Sequence, residues 1–121
     1  MVVEDNKINQ RLLRDIIRVQ GWRSVEADDA DMAEEILRML KVRGEVPDMA
    51  MVDIRLPDRS GCDLVRSLKA NDNWKVMPVI AVTAMAGRAN AQRILEAGCD
   101  DYIAKPISVA HIIETVHKYL G

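Results

Sequence analysis

Short apolar runs alternate with stretches of helical periodicity along the whole chain, and this alternation is the strongest constraint on its fold. Strands that are almost wholly apolar, each followed by a helix, indicate a parallel sheet covered by helices on both faces. Right-handed crossovers then limit the topology to a few doubly wound arrangements. The predicted strands are Val2 and Val3, Arg23 to Glu26, Met49 to Ile54, Val79 to Val82, and Tyr102 to Ala104.

A helix is predicted after each strand. Asn6 is a good N-cap for the first helix, and Gly21 is a typical C-terminal stop. The second helix runs from Asp29 to Lys41, the third follows the Pro57 to Gly61 loop, the fourth covers Arg88 to Ala97, and the last starts at Ser108. The recurring apolar residues of these helices are Ile8, Leu12, Leu13, Ile16, Ile17, Ala33, Ile36, Leu37, Leu40, Leu64, Val65, Leu68, Val109, Ile112, Ile113, Val116 and Leu120. We expect the methionines to fill the core.

Length and composition indicate one domain, residues 1–121, without a linker or an internal repeat. The formal net charge is -2 and the basic residues are scattered, so there is no electrostatic reason to expect direct binding to nucleic acid or membranes. No apolar stretch has the length of a membrane span, and no secretory signal is present. We therefore expect a cytoplasmic protein in which Cys62 and Cys99 are free thiols.

Polar residues follow the predicted strands at the edge where ligands bind in such sheets. They are Glu4 and Asp5 after the first strand, Asp53 in the third, Thr83 after the fourth, and Lys105 after the fifth. Two carboxylates at ~4 Å repel each other by about 4 kcal/mol at an effective dielectric near 20, so three of them need a cation or protons. A magnesium ion suits such a set. Beside it, the Asp53 carboxylate can attack a phosphorus atom and form an aspartyl phosphate.

Four segments that contain these residues give the chain a recognisable family resemblance. They are V-V-E-D-N at Val2 to Asn6, V-D-I-R-L-P-D-R-S-G at Val52 to Gly61, V-I-A-V-T-A at Val79 to Ala84, and G-C-D-D-Y-I-A-K-P-I at Gly98 to Ile107. With these segments the chain resembles the receiver domains of two-component response regulators, the CheY-like family, and most of all stand-alone DivK-type receivers. The resemblance implies a flavodoxin-like (βα)5 fold whose five-stranded parallel sheet has the order 2-1-3-4-5.

The resemblance also implies a magnesium site around the phosphoacceptor. By the family pattern, Asp53 accepts the phosphoryl group and Asp5 is a direct magnesium ligand. Glu4 is a ligand through water, and the backbone carbonyl of Arg55 is a further ligand. Arg55 and Met85 occupy positions where the family varies and where the lifetime of the phosphate is tuned.

Further roles follow for residues on the other side of the phosphoryl group. Thr83 matches the switch hydroxyl, and Tyr102 matches the aromatic residue that moves inward with it. Lys105 matches the lysine that pairs with the phosphoryl group, and the Lys105–Pro106 peptide bond is usually cis in this family. The expected function is a phosphoacceptor switch and not a turnover enzyme.

The expected partners follow from the same resemblance. The donor is a phosphohistidine on a histidine kinase or a histidine phosphotransfer protein, which docks on the first helix and the loop near Pro106. The surface of the fourth helix, fifth strand and fifth helix then signals to a protein effector that the sequence does not identify. The chain is expected to be a monomer or a phosphorylation-dependent dimer.

The sequence leaves an alternative context open, because only Met1 to Val3 precede Glu4 and the first strand is shorter than in the family. The same residues could be the receiver portion of a hybrid histidine kinase or a multidomain regulator.

Rival functions fit the residues less well. A phosphatase of the haloacid dehalogenase type needs a second Asp where this chain has Arg55. A flavodoxin-like cofactor carrier needs a glycine-rich phosphate-binding loop, and no strand of this chain is followed by such a loop. An interaction domain that has lost phosphorylation would not need the complete acidic set.

Overall fold

A computed structural model describes residues 1–84 and 87–120. Its strands form one parallel sheet in the order β2-β1-β3-β4-β5, which confirms the expected fold and strand order. The central strand β1 is short, but both of its residues are fully buried. The strands are β1 (Val2–Val3), β2 (Glu26–Ala27), β3 (Ala50–Asp53), β4 (Val79–Thr83) and β5 (Asp101–Ala104).

Five helices cover the two faces of the sheet. They are α1 (Lys7–Val19), α2 (Ala30–Val42), α3 (Gly61–Lys69), α4 (Arg88–Glu96) and α5 (Val109–Leu120). One buried cluster joins α1 and α5 to the sheet, and a second joins α2, α3 and α4 to the opposite face. Within the described residues, no helix combines the length and the apolar character that a bilayer crossing requires.

Side-chain caps explain why three of these helices begin where they do. The Asn6 side chain accepts a hydrogen bond of 3.0 Å from the N–H of Asn9, and Asp29 accepts one of 2.7 Å from the N–H of Met32. Ser60 accepts one of 3.1 Å from the residue that follows Gly61. Each cap satisfies an amide that has no partner inside its own helix.

The structure corrects the predicted core at the ends of α5 and on α2. Val109 and Leu120 are exposed, because a 12-residue helix spans about 18 Å and the four-residue strand β5 only about 13 Å. The ends of the helix therefore have no sheet beneath them. Met32 and Met39 are also exposed, since α2 turns Ala33 towards the sheet and these methionines away from it.

Gly61 lets α3 begin directly against the end of β3. A Cβ atom at this position would lie 2.2 Å from the backbone oxygen of Asp53 and 2.8 Å from the Cα atom of Ile54. The Gly61 N–H donates a hydrogen bond of 2.8 Å to the Ile54 carbonyl. This close approach folds the loop after Asp53 into a compact turn, in which Arg55 and Ser60 form an antiparallel bridge.

We predict that Gly61→Ala lowers the free energy of unfolding by about 3 kcal/mol, because the clash is with backbone that cannot move aside. Gly44→Ala is the control, since Gly44 has φ of +75° and open space around it. Only the left-handed backbone strain of about 1 to 2 kcal/mol applies there. Urea unfolding of both variants measures the difference, and equal losses would contradict the steric explanation.

Candidate functional site

Three charged residues from distant parts of the chain meet at one edge of the sheet. Glu4 directly follows β1, Asp53 ends β3, and Lys105 directly follows β5. Side chains alternate between the two faces along a strand, so residues two positions apart lie on the same face. Each of the three comes two positions after a residue that is buried against α1 and α5, namely Val2, Met51 and Ile103.

Lys105 links the two buried carboxylates. Its Nζ donates a hydrogen bond of 3.1 Å to Asp53 Oδ2 and one of 3.3 Å to Glu4 Oε1. Burial lowers the pKa of the Lys105 ammonium, but its bonds and charge contacts with Asp53 and Glu4 outweigh burial and raise the pKa overall. The lysine is therefore charged at neutral pH. The Lys105–Pro106 peptide bond is cis.

Asp53 is held through both of its oxygens. Oδ1 accepts a hydrogen bond of 3.0 Å from the N–H of Arg55, and Oδ2 accepts the one from Lys105. The side chain is almost completely buried. A carboxylate fixed in this way presents its oxygens in one defined direction, as a nucleophile or a metal ligand must.

Glu4 has the least favourable electrostatic environment in the site. The residue is only 1% exposed, and its Oε2 atom has no hydrogen-bond partner, although the Lys105 ammonium lies 3.2 Å away at an unfavourable angle. Burial raises the pKa of Glu4 to about 7, and the neighbouring charge of Asp53 adds to the effect. The buried oxygen therefore has a cation nearby but lacks a hydrogen-bond donor, which a ligand or its bound water could supply.

Asp5 completes an acidic cluster with the two buried carboxylates. Each of Glu4, Asp5 and Asp53 offers an oxygen, and these oxygens lie within 4.8 Å of one another. Asp5 is exposed, so the cluster opens towards solvent on its side. Three carboxylates and the single ammonium of Lys105 leave two negative charges when all are ionised, which matches a hard divalent cation with oxygen ligands.

The predicted switch residues lie on β4, which pairs with the strand of Asp53, and on β5, the strand beyond it. In the register of β4 and β5, Thr83 pairs with Ala104 and Ala81 pairs with Tyr102. Paired positions of parallel strands share a face, so Thr83 and Tyr102 lie on the same face of the sheet. Thr83 is buried, whereas Tyr102 is 39% exposed. The predicted position Met85 lies outside the described residues.

Sequence reasoning missed the polar contacts that fix the acidic turn after β1. The Gln10 side-chain amide donates hydrogen bonds of 2.9 Å to the Glu4 carbonyl and 2.8 Å to Asp28 Oδ1. The N–H of Asn6 donates one of 3.3 Å to Glu4 Oε1. The only signal in the sequence is a glutamine one turn after a cap, which does not by itself predict a contact with the preceding loop.

Comparison with known proteins finds sequence relatives among the response regulators. A family model described as "Response regulator receiver domain" matches residues 1–117. The chain is 40% identical over 121 residues to the polar-differentiation response regulator DivK of Brucella anthropi. The alignment covers all of this chain and 94% of the relative. DivK of Brucella melitensis is similar to the same extent.

Solved structures show the same fold. The receiver domain of a sensor histidine kinase from Pseudomonas aeruginosa is 30% identical, has a TM-score of 0.84, and covers 99% of this chain and 94% of its own. Its active site cleft holds a coordinated magnesium ion. The receiver domain of a histidine kinase from Syntrophus aciditrophicus is 27% identical, with a TM-score of 0.87 and coverage of 98% and 86%.

The pKa of Glu4 generates a prediction about stability and pH. A carboxyl group whose pKa is about 7 when folded and about 4.5 when unfolded makes unfolding more favourable as pH rises between these values. We therefore predict that Glu4 contributes a loss of stability to the metal-free protein from pH 5 to pH 8 and that Glu4→Gln removes this contribution. The buried N-terminal amine, whose pKa is lowered to about 6, contributes a gain over the same range, but it does so equally in both proteins. Relative to wild type, the variant should gain on the order of 1 to 3 kcal/mol between the two pH values.

Urea unfolding in EDTA at both pH values measures this gain. Glu35→Gln changes an exposed glutamate of α2 and is the matched control, for which no gain is expected. If Glu4→Gln and Glu35→Gln respond alike to pH, the assignment of the shift to Glu4 is wrong.

Proposed function

The chain belongs to the response regulator receiver family of two-component signalling, and from this membership we propose that Asp53 is its phosphoacceptor. The proposed donor is a phosphohistidine on a histidine kinase or a histidine phosphotransfer protein. The observation that carries the proposal is the position of Asp53, which is buried and oriented beside one ammonium and two further carboxylates.

In the proposed transfer, an Asp53 oxygen attacks the phosphorus atom of the donor. An oxygen–phosphorus bond forms and the phosphorus–nitrogen bond breaks, and its electron pair returns to the donor imidazole. The Lys105 ammonium, now 3.1 Å from Asp53 Oδ2, is close enough to pair with a phosphoryl oxygen. Positioning and charge stabilisation account for most catalysis in reactions of this type. We infer a phosphoacceptor and not a turnover enzyme.

We infer that magnesium is the required cofactor. Asp5, Asp53 and the Arg55 carbonyl would hold it directly, and Glu4 would hold it through water. When bound, the ion would neutralise charge on the phosphoryl oxygens. The acidic cluster and the Glu4 oxygen that lacks a hydrogen-bond donor support this site, as does the magnesium in the Pseudomonas relative.

The phosphorylated state is proposed to change the α4–β5–α5 surface. Phosphorylation adds nearly two negative charges and strong acceptor oxygens next to Thr83, whose hydroxyl would donate to them. The movement of Thr83 would let Tyr102 turn inward from its exposed position on the same face. Among the residues of α4 only Ile94 is buried, so this helix is held by few contacts and can shift. A protein effector would read the altered surface.

An exposed apolar patch supports docking of the donor on α1 and the β5–α5 loop. Ile8 is 79% exposed on the first turn of α1, although its spacing fits the apolar pattern of that helix. Leu12 lies one turn further on, and Val109 is exposed at the start of α5, which packs beside α1. The patch lies at the same end of the fold as the acidic site, where a donor must approach.

The similarity to DivK supports a stand-alone cytoplasmic regulator. A second context is supported by a specific observation, since the receivers from Pseudomonas and Syntrophus belong to histidine kinases. The same 121 residues would carry out the same transfer in a hybrid kinase or multidomain regulator.

We predict that acetyl phosphate with magnesium adds one phosphoryl group to the wild type, and that Asp53→Asn reduces labelling at least about 100-fold, because the amide is a poor nucleophile. Asp72→Asn, at a highly exposed position, is the control and should label normally. Intact-mass spectrometry measures the adduct. Labelling of Asp53→Asn at the wild-type rate would remove Asp53 from the proposed role.

A second prediction distinguishes docking of the donor protein from phosphoryl transfer to Asp53. Ile8→Asp should slow phosphotransfer from a phosphorylated histidine phosphotransfer protein about tenfold, which corresponds to about 1.4 kcal/mol of lost contact. Its labelling by acetyl phosphate should not change, because Ile8 is outside the acidic site. Val76→Asp, at an exposed position between α3 and β4, should affect neither reaction. A normal rate of protein-mediated transfer to Ile8→Asp would place the docking surface elsewhere.

A further inference from the structure

The outer face of α2 carries an apolar stripe that the core covers only in part and that lies apart from the acidic site. It consists of Met32, Ile36 and Met39, which recur at steps of four and three residues. Met39 is 55% exposed and Met32 is also exposed, while Ile36 packs only partly against the core. Exposed methionines at helical spacing are typical of protein contact surfaces, because their flexible side chains adapt to a partner.

The charges of the same helix are segregated along its length. The first half and the residues before it are acidic, and the second half is basic: Asp28, Asp29, Asp31, Glu34 and Glu35 precede Arg38, Lys41 and Arg43. The helix dipole favours acids at the start and bases at the end, but this effect is confined to the terminal turns. It does not explain why apolar side chains lie exposed among these charges.

Several of these charges have no partner within the described part of the molecule. Asp31 and Glu34 form ion pairs with Arg59. By contrast, the ion pairs found in residues 1–84 and 87–120 do not include Glu35, Arg38 or Arg43. Both signs of charge are therefore available to a partner beside the stripe.

A shallow groove lies next to the stripe. It has a volume of about 360 Å³ and lies between α2 and the edge strand β2. Val25, Ile36, Met39 and Leu40 provide its apolar lining, and Arg43 is among its charged residues. A flexible apolar side chain from a partner can enter it.

From these features we propose that two copies of the chain associate through antiparallel pairing of their α2 helices. A two-fold axis passing between Glu35 and Ile36 sets Met32 of one copy against Met39 of the other. The same axis brings Glu35 towards Arg38 of the second copy, and each contact occurs twice. A helix that is acidic in one half and basic in the other is complementary to itself only in the antiparallel orientation, which makes a second copy the fitting occupant.

The paired surface is small, because one helix face and one groove contribute to it. Interfaces that bury less than about 1,000 Å² belong to weak complexes, so the expected dissociation constant is about 10 µM to 1 mM. The pairing does not use Asp53 or the α4–β5–α5 surface. It is thus independent of phosphorylation, and its test is independent of the proposed phosphotransfer.

Sedimentation velocity on the full chain from 5 to about 1,000 µM, without phosphodonor, tests the pairing. The weight-average sedimentation coefficient should rise with concentration, equally in wild type and Asp53→Asn, and less steeply in 500 mM than in 50 mM salt. Met39→Glu should weaken association at least tenfold. Val76→Glu is the matched control and should associate as the wild type does. Thermal unfolding confirms that each variant is folded.

Exchanging the charges at positions 35 and 38 tests the antiparallel orientation of the paired α2 helices. Glu35→Arg and Arg38→Glu should each weaken self-association, because like charges then meet across the axis twice. An equimolar mixture should restore the dimer, since each copy now carries the charge that the other lacks. A chain that stays monomeric at every concentration would overturn the proposal. The proposal would also be overturned if Met39→Glu associated as strongly as the wild type, if association required phosphorylation, or if the mixture did not restore the dimer.

Discussion

The mutual repulsion of three carboxylates, held together by the backbone and relieved in part by Lys105, is the constraint on which the rest of the molecule depends. The oxygens of Glu4, Asp5 and Asp53 lie within 4.8 Å of one another. At such distances a pair of negative charges costs several kcal/mol at an effective dielectric near 20. Side chains free to move would separate. They stay together because β1 and β3 are neighbours in a buried parallel sheet, and because the turn after Asp53 is pressed against α3 at Gly61. The packing of the core thus opposes this repulsion and maintains a site of concentrated negative charge.

Much of this arrangement could be predicted from sequence. Runs such as Met49 to Ile54 are buried on both faces, so their pattern is unambiguous, and a parallel sheet brings the residues after each strand to one edge. That is why Glu4, Asp53 and Lys105 could be expected to meet. The exposure of helix residues could not be predicted as well. Val109, Leu120, Met32 and Met39 all fit an apolar pattern, yet whether such a residue is buried depends on how far the sheet extends beneath the helix and on which side of the helix faces the sheet. The contact of Gln10 with the acidic turn depends on loop geometry that no periodicity encodes.

Two surfaces of the molecule follow from these exposed residues. The Ile8 patch lies beside the acidic site, where access to Asp53 requires an approach from outside. The α2 stripe lies on the opposite face of the sheet and is separated from the site by the core. The proposed phosphotransfer and the proposed pairing of α2 helices are therefore compatible, because they use different surfaces of the domain.

The central claim is that the acidic cluster binds one divalent cation, and urea unfolding with and without magnesium tests it most directly. A ligand that binds only the folded state raises the free energy of unfolding in proportion to ln(1 + [L]/Kd). At constant ionic strength, 10 mM magnesium should stabilise the wild type, and Asp5→Asn, which alters the exposed member of the cluster without disturbing the core, should lose most of that effect. No stabilisation of the wild type, or equal stabilisation of both proteins, would contradict the account.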